Sequence, residues 1–223
     1  MTFSDVDGNP LHYNYSVAYS PVSGTDVVAN FIRSCQTQGL KTGFYYSVGA
    51  NSYLNVANGI VRTSQPDRIH ITQTTYNRIV LQQLTELWTL YGPLTELWFD
   101  GGFGDDLYIQ LKSMIAEYQP DVTVFNGCAV NNKPNASECL SPSSTRWIGN
   151  ELGHGTDPCW SSGVTRDAGD PTSPIFAPAE CPTTLQADDK WFWVSFHWAA
   201  AGATNAEPLL TACFTSAKSG SVL

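Results

Sequence analysis

The sequence predicts an α/β fold, specifically a TIM-like (β/α)8 barrel of which this chain holds only part. Segments with the periodicity of amphipathic helices alternate with short apolar segments, an order typical of parallel strands joined by crossover helices. No glycine-rich phosphate turn follows a predicted strand, which disfavours a doubly wound nucleotide-binding sheet. Leu97-Trp-Phe-Asp-Gly-Gly places a carboxylate at the end of a buried strand, where barrels of this class carry their chemistry.

The first half of the chain shows this alternation most clearly. Thr25 and Asp26 are candidate helix caps, and Gly39 and Gly92 follow the two predicted helices as stop signals. We expect one apolar face of the first helix to be buried, formed by Val27, Val28, Phe31, Ile32 and Cys35. The predicted elements are a loop at 1–24, a helix at 25–38, a strand at 41–47, a loop at 48–70, a helix at 72–91, a strand at 94–99 and a helix at 105–117.

The second half is less regular. Strands are predicted at 122–125, 145–149 and 191–194, with a helix at 205–217 and a strand beginning at 222. Residues 152–189 show no periodic signal, and loops of that length in compact domains are usually functional. Five strands and a stub are fewer than a closed barrel needs, so we expect the chain to start and stop within the barrel.

Composition restricts the function. The 223 residues, 42% of them hydrophobic, suffice for one domain, which we expect to span residues 1–223. A net charge of −9 disfavours nucleic acid and anionic membrane surfaces as partners. We expect no membrane-spanning segment, because no apolar run is long enough, and we expect the N-terminal residues not to be a signal peptide, because they lack a basic region and an apolar region. A neutral glycan fits this charge, and the aromatic content suits stacking on sugar rings, although aromatic residues more often form cores.

The six cysteines favour disulfides over a metal site. None lies in a Cys-x-x-Cys pair, so we expect no zinc or other metal site, and nothing indicates a cofactor. Four of them fall in predicted loops, which favours disulfides and an oxidising compartment, and two glycosylation acceptor sequences, at Asn14 and Asn135, agree. Six reduced cysteines in a cytosolic enzyme remain the alternative. The cysteines are Cys35, Cys128, Cys139, Cys159, Cys181 and Cys213.

Asp100 has two interpretations. An Asp-Gly-Gly sequence before a helix is often a helix cap. However, Trp98 lies two residues earlier in the strand and therefore on the same face. An apolar ring beside a carboxylate suits recognition of a sugar.

These motifs together resemble the α-L-fucosidases of glycoside hydrolase family 29, in the subgroup that includes plant enzymes and bacterial 1,3/1,4-fucosidases. The resemblance runs in order from about residue 12 to the end of the chain. Besides the Asp100 segment, the matching motifs are Asn14-Tyr-Ser-Val, Gly43-Phe-Tyr-Tyr-Ser, Tyr91-Gly-Pro, Arg146-Trp-Ile-Gly-Asn-Glu, Pro178-Ala-Glu-Cys, Trp191-Phe-Trp and Phe214-Thr-Ser-Ala-Lys-Ser-Gly-Ser-Val-Leu.

The resemblance implies a retaining exo-glycosidase that removes terminal α-L-fucose. It implies that Asp100 is the nucleophile and Glu151 the general acid/base, the pair of carboxylates that such a double displacement requires. Glu180 is the rival acid/base, because that position varies between branches of the family. The residues expected to bind substrate are Trp98, Tyr45, Tyr46, Trp147, Glu180 and Trp191; for Trp98 and the two tyrosines, packing inside the barrel is the alternative.

The chain departs from the family at both ends. Full-length relatives begin with two further strands, the second carrying a Lys-His-His-Asp-Gly-Phe stretch that holds fucose hydroxyls, and they continue through a last strand. The expected partner is a fucosylated oligosaccharide or glycoprotein glycan, met in the secretory pathway, outside the cell or in a lysosome- or vacuole-like compartment. A catalytically impaired glycan-binding pseudo-enzyme and another barrel glycosidase with an Asp/Glu pair are the alternatives.

Overall fold

A computed structural model of the chain describes residues 3–12, 16–63, 69–101, 103–130, 133–134, 139–149, 151, 155, 157–165, 169–182, 191 and 221–222. The chain divides into two compact units, Met1–Val122 and Thr123–Leu223. No helix among the described residues combines the length and apolar character that a membrane crossing requires.

The first unit follows the predicted order of helices and strands. After a short 3-10 helix at Val17–Tyr19, its elements are α1 (Val27–Thr37), β1 (Gly43–Ser47), β2 (Ala50–Asn51), β3 (Val56–Ala57), β4 (Ile60–Val61), α2 (Gln73–Thr89), β5 (Glu96–Asp100) and α3 (Asp105–Tyr118). Strands β1 and β5 pair in parallel, as the alternation predicted, with Gly43 opposite Glu96 and Ser47 opposite Asp100. The two strands therefore end at the same edge.

Side-chain alternation along β5 separates a packed face from an open one. Leu97 is buried, and the Phe99 ring meets Trp88 of α2 edge-on at 6.2 Å and Phe103 at 5.9 Å. Trp98 and Asp100 lie on the other face because successive strand residues point in opposite directions. The hydrophobic packing of Leu97 and Phe99 thus determines which way Asp100 points.

Side chains cap the first two helices as their sequences indicate. The Asp26 carboxylate accepts a hydrogen bond from the Ala29 amide at 2.9 Å, and the Thr72 hydroxyl accepts one from the Thr75 amide at 3.0 Å. The cap of α3 is Gly104, so Asp100 does not cap that helix. The interpretation of Asp100 as a helix cap is therefore wrong.

The prediction of a buried apolar face on α1 is only partly correct. Ile32 is buried, but Val27 and Phe31 are 41% and 52% exposed. Val28 and Cys35 are half-buried, so only Val27 and Phe31 of the predicted stripe are exposed to solvent.

The predicted loop at 48–70 contains a three-stranded antiparallel sheet, β2–β3–β4. Asn58 and Gly59 both have positive φ, +53° and +73°, and join β3 to β4 as a two-residue hairpin turn. The first residue of α2, Gln73, fastens this sheet by accepting a hydrogen bond from the Val61 amide at 2.9 Å and donating one to the Gly59 carbonyl at 3.0 Å. The loop prediction missed this Asn-Gly signal.

The second unit contains several short strands. They are β6 (Thr123–Val124), β7 (Ala129–Val130), β8 (Lys133–Pro134), β9 (Arg146–Trp147), β10 (Ala179–Glu180) and β11 (Ser221–Val222). Strand β10 lies between β9 and β11 and pairs with both in parallel. It falls inside the segment 152–189, where no strand was predicted because a strand of two residues is too short to show a period.

The other predictions for this unit concern its C-terminal strands, its last helix and its disulfides. The strand expected to begin at residue 222 is confirmed as β11. Trp191 lies outside any strand, and residues 192–194 and the predicted helix at 205–217 fall outside the described residues. Among the residues that the structure describes, the expectation of disulfides in the loops is met by the bond between Cys128 and Cys139.

We predict that Gly101→Ala destabilises the first unit more than Gly92→Ala does. Both glycines have similar positive φ, +79° and +82°, so each alanine bears the left-handed penalty of about 1–2 kcal/mol. A Cβ at Gly92 meets nothing within 4 Å, whereas one at Gly101 overlaps the Cα of Gly49. Urea unfolding of the two variants measures the difference, and equal losses would contradict the close backbone contact.

Candidate functional site

The candidate residues fall into two clusters, one in each unit. The first centres on Asp100, the last residue of β5, whose side chain is exposed. Its backbone carbonyl accepts a hydrogen bond from the Gly49 amide at 2.8 Å, and a Cβ on Gly49 would lie 2.6 Å from the Gly101 Cα. The chain segments that leave β1 and β5 therefore touch backbone to backbone, which fixes the position of Asp100.

Tyr45 contacts Asp100 directly. It lies opposite Trp98 in the register, two residues before the Ser47–Asp100 pair, and its hydroxyl donates a hydrogen bond to Oδ2 of Asp100. Burial, together with this hydrogen bond and the negative charge of Asp100, raises the pKa of Tyr45 to about 12. The phenol is therefore protonated at any physiological pH and remains a donor to the carboxylate.

Trp98 completes the first cluster. Its ring stacks on Tyr45, with centroids 5.5 Å apart and planes inclined by 26°. Both rings stand on the face of the strand pair that carries Asp100, so the carboxylate is flanked by a flat aromatic surface. Aromatic faces of this kind are apolar surfaces against which a ligand can pack.

Tyr46 lies elsewhere. As the next residue after Tyr45 it points to the opposite face, where its hydroxyl donates a hydrogen bond to Oε1 of Gln83 in α2 at 2.5 Å. Of the two adjacent tyrosines that the sequence singled out, Tyr45 is the one the structure brings to Asp100.

The second cluster contains Glu151, whose exposed carboxylate follows β9. Its Oε2 accepts a hydrogen bond of 2.9 Å from Nε1 of Trp191. The Trp191 ring is about half exposed, so the contact links a carboxylate to an accessible aromatic face. The structure thus brings together two candidates that lie 40 positions apart in the sequence.

Trp147 and Glu180 are neighbours on adjacent strands of the same unit. They stand opposite each other in the parallel register of β9 and β10, and both are half-buried. The Trp147 ring packs against Phe125 at 6.3 Å, and its backbone amide donates to Oδ1 of Asn126 at 3.4 Å. Asn126 has a φ of +51°, a conformation that asparagine adopts more readily than most residues.

Two residues that support the candidate sites, Gly49 and Asn126, were not predicted from the sequence. Gly49 was not connected with Asp100 because its role depends on the parallel register of β1 and β5. Asn126 was not selected because its contact with Trp147 spans 21 positions. The signal for Gly49 was present, since a glycine follows both strands at the same edge.

Comparison with known proteins identifies relatives of this chain. The sequence model of the Alpha-L-fucosidase family matches residues 9–158. A putative alpha-L-fucosidase 1 from Oryza sativa subsp. japonica is 29% identical over 199 residues, covering 81% of this chain and 33% of that protein. Alpha-L-fucosidase 1 from Arabidopsis thaliana is 26% identical over 186 residues, covering 75% and 31%. The chain therefore spans about a third of the length of these curated relatives.

Solved structures give the same result for the fold. A putative alpha-L-fucosidase from Bacteroides thetaiotaomicron superposes with a TM-score of 0.68 at 24% identity, covering 88% of this chain and 46% of that one. A glycoside hydrolase 29 family member from an unknown rumen bacterium gives 0.66 at 22% identity, covering 94% and 38%. At these identities the likeness shows a shared fold.

We predict that Asp100→Asn lowers the pKa of Tyr45 from about 12 part of the way towards its ordinary value of 10.0. The substitution removes the negative charge, while burial, the largest cause of the shift, remains. Tyr91 is the control, because burial and Asp26 raise its pKa and Asp100 has no part in that shift. Titration of the tyrosine ring carbons by NMR measures both groups, and an unchanged Tyr45 titration would contradict the contact.

The same shift has a consequence for stability. The pKa of Tyr45 is higher in the folded chain than in the unfolded chain. The hydrogen bond from the protonated phenol to Asp100 therefore makes its full contribution to the free energy of unfolding below pH 10. That stabilisation is lost as the pH rises through about 12.

Proposed function

Because it matches the family model over most of its length, the chain belongs to the α-L-fucosidase family, and we propose that it is a retaining exo-α-L-fucosidase catalytic segment. The observation that carries the proposal is the exposed Asp100 at the carboxyl end of a parallel strand, hydrogen-bonded by Tyr45 and flanked by Trp98. Parallel α/β barrels carry their catalytic residues at that edge.

The proposed architecture is an incomplete (β/α)8 barrel. In this proposal the parallel pair β1–β5 and the three-stranded parallel sheet β9–β10–β11 would each be part of the barrel wall, and α2 and α3 part of its outer layer. The β2–β4 sheet follows β1 directly, so it is an insertion at the carboxyl edge, where the variable loops of barrel enzymes are found.

In the first half of the proposed reaction, Asp100 attacks the anomeric carbon of the fucosyl unit. The hydrogen bond from Tyr45 holds Oδ2, which leaves Oδ1 as the attacking oxygen. Glu151 donates its proton to the glycosidic oxygen as the bond to the anomeric carbon breaks. The products are the released alcohol and a fucosyl ester on Asp100, with Glu151 ionised.

In the second half, Glu151 removes a proton from water, and the water oxygen attacks the anomeric carbon. The ester breaks, and its electron pair returns to Asp100. Free fucose leaves with its original anomeric configuration, and both carboxyl groups return to their starting protonation states. Retention of this kind requires the two carboxyls to lie roughly 5–5.5 Å apart in the working enzyme.

The remaining candidates are proposed to contact the substrate. The stacked rings of Trp98 and Tyr45 form a wall suited to the apolar C5 methyl of fucose. Trp191 holds one oxygen of Glu151, so the other is available to the leaving group. Trp147 and Glu180 lie side by side and are proposed sugar contacts, with Tyr46 the more distant candidate.

The proposed substrate is a fucosylated oligosaccharide or glycoprotein glycan. The net charge of −9 is compatible with a neutral sugar chain. We propose a secretory, extracellular or lysosome- or vacuole-like location, which the Cys128–Cys139 disulfide supports. No observation favours the binding-only alternative.

We predict that Asp100→Ala abolishes hydrolysis of an aryl α-L-fucoside and that added azide restores release of the aryl alcohol, since the small anion can attack in place of the missing carboxylate and leave as fucosyl azide. Asp106→Asn is the matched control, because Asp106 is an exposed acid in the first turn of α3 and should leave turnover unchanged. Steady-state assays with and without azide measure this. Full activity of Asp100→Ala, or a wild-type chain that binds fucose without turnover, would contradict the proposal.

We predict that Glu151→Gln slows hydrolysis of substrates with poor leaving groups by about 10²–10⁴-fold and affects an activated aryl fucoside much less. The reason is that a good leaving group departs without a proton. Glu180→Gln is the comparison, and it should slow both substrates by the same smaller factor. If the leaving-group dependence appears in Glu180→Gln instead, the acid/base role belongs to Glu180.

A further inference from the structure

Two cysteines outside the proposed chemistry pack together in the second unit. Cys181 directly follows β10 and is buried in a cluster with Ile148 and Ala179, and the half-buried Cys159 packs against that cluster. Cys159 lies on the segment that follows β9, so the two residues reach the same cluster from different parts of the chain.

The strand pairing explains why the cluster forms. The ladder between β9 and β10 continues with a hydrogen bond of 3.0 Å from the Ile148 amide to the Glu180 carbonyl. Residues 146, 148, 179 and 181 therefore share one face of the pair, and Trp147 and Glu180 share the other. The cysteine cluster lies directly behind the two candidate sugar contacts.

Arg146 holds the Cys159 segment against this face. Its side chain is buried, and its guanidinium donates hydrogen bonds to the Trp160 carbonyl and, at 3.6 Å, to Sγ of Cys159. A buried arginine keeps its charge, so these contacts are difficult to exchange for others. Cys159 is thereby kept beside Cys181.

We propose that Cys159 and Cys181 form a second disulfide that fastens the loop after β9 to the end of β10. The Cys128–Cys139 bond in the same unit indicates that the chain folds where disulfides form. The new bond would close a loop of about twenty residues and so restrict the unfolded chain.

The bond forms by thiol–disulfide exchange with a small disulfide oxidant such as oxidised glutathione. The Cys159 sulfur, the more accessible of the two, attacks the oxidant and releases one glutathione thiol. The Cys181 sulfur then attacks the Cys159 sulfur of the mixed disulfide and releases the second. Both thiol hydrogens end on glutathione, and the oxidant gains the two electrons that the cysteines lose.

The site also explains the order of the two attacks. Burial raises the pKa of the Cys181 thiol, and the neighbouring Cys159 thiol adds to the shift. A buried thiol of raised pKa is slow to attack an external oxidant. It needs only to reach a sulfur that is already beside it.

The proposed disulfide would also affect the other face of the β9–β10 pair, which carries Trp147 and Glu180. Cys181 immediately follows Glu180, and the Arg146 that bonds Cys159 immediately precedes Trp147. A covalent bond between the two cysteines would therefore restrain the ends of both strands that carry these residues.

Peptide mapping tests the bond directly. The full chain is equilibrated with a mixture of reduced and oxidised glutathione, alkylated, and digested with trypsin without reduction. Arg166 separates the two cysteines, so the expected product is peptide 147–166 linked to peptide 167–190. Alkylation of both cysteines under oxidising conditions, or linkage of either to Cys35 or Cys213, would overturn the proposal.

Thermal unfolding supplies a second measurement that does not depend on recovering a peptide. Cys159→Ser and Cys181→Ser should each lower the unfolding midpoint by roughly 5–10 °C in oxidised glutathione relative to the unsubstituted chain. The loss should shrink markedly in a reducing buffer. Cys35→Ser, on α1 in the other unit, is the control and should show no such redox dependence. If the unfolding midpoint falls equally in both buffers, the cysteines stabilise the fold by packing alone and the proposed disulfide is wrong.

Discussion

The backbone contact between Gly49 and Gly101 is the constraint on which the first candidate cluster depends. Strands β1 and β5 run in parallel and end together, and the segments that leave them touch where neither residue has a side chain. The Gly49 amide bonds the Asp100 carbonyl at this point. Since the backbone on both sides of Asp100 is thereby fixed, its carboxylate can be held by a single further contact, the Tyr45 hydroxyl.

Packing on the opposite face determines the direction of that carboxylate. Leu97 is buried and Phe99 packs against Trp88 of α2 and against Phe103, so a shift of β5 by one residue would expose both and bury Asp100. Gln119, at the end of α3, strengthens this arrangement: it accepts a hydrogen bond from the Leu94 amide at 2.8 Å and donates one to the Trp88 carbonyl at 2.7 Å. The segment that leads into β5 is therefore held by hydrogen bonds to both helices, whereas Asp100 at the other end of β5 remains exposed.

The sequence predicted the fold best where apolar residues form a pattern over several positions. It predicted α2, α3 and the strand that ends at Asp100, because each has several apolar residues in a regular pattern. It missed β10, which depends on pairing with two distant strands, and it missed the β2–β4 sheet, whose Asn58-Gly59 turn was an available local signal. Resemblance and strand position singled out Asp100 and Tyr45 as candidates, but the hydrogen bond between them depends on register, which only the structure supplies.

The proposed double displacement requires Asp100 to form a covalent bond with the sugar. The most direct measurement is to treat the full chain with a 2-fluoro-fucosyl fluoride, which forms the ester but hydrolyses slowly, and to locate the label by mass spectrometry. We predict a fluorofucosyl group on Asp100, in the tryptic peptide 79–112. A label on Glu151 or Glu180, or equal labelling of the Asp100→Ala variant, would contradict it.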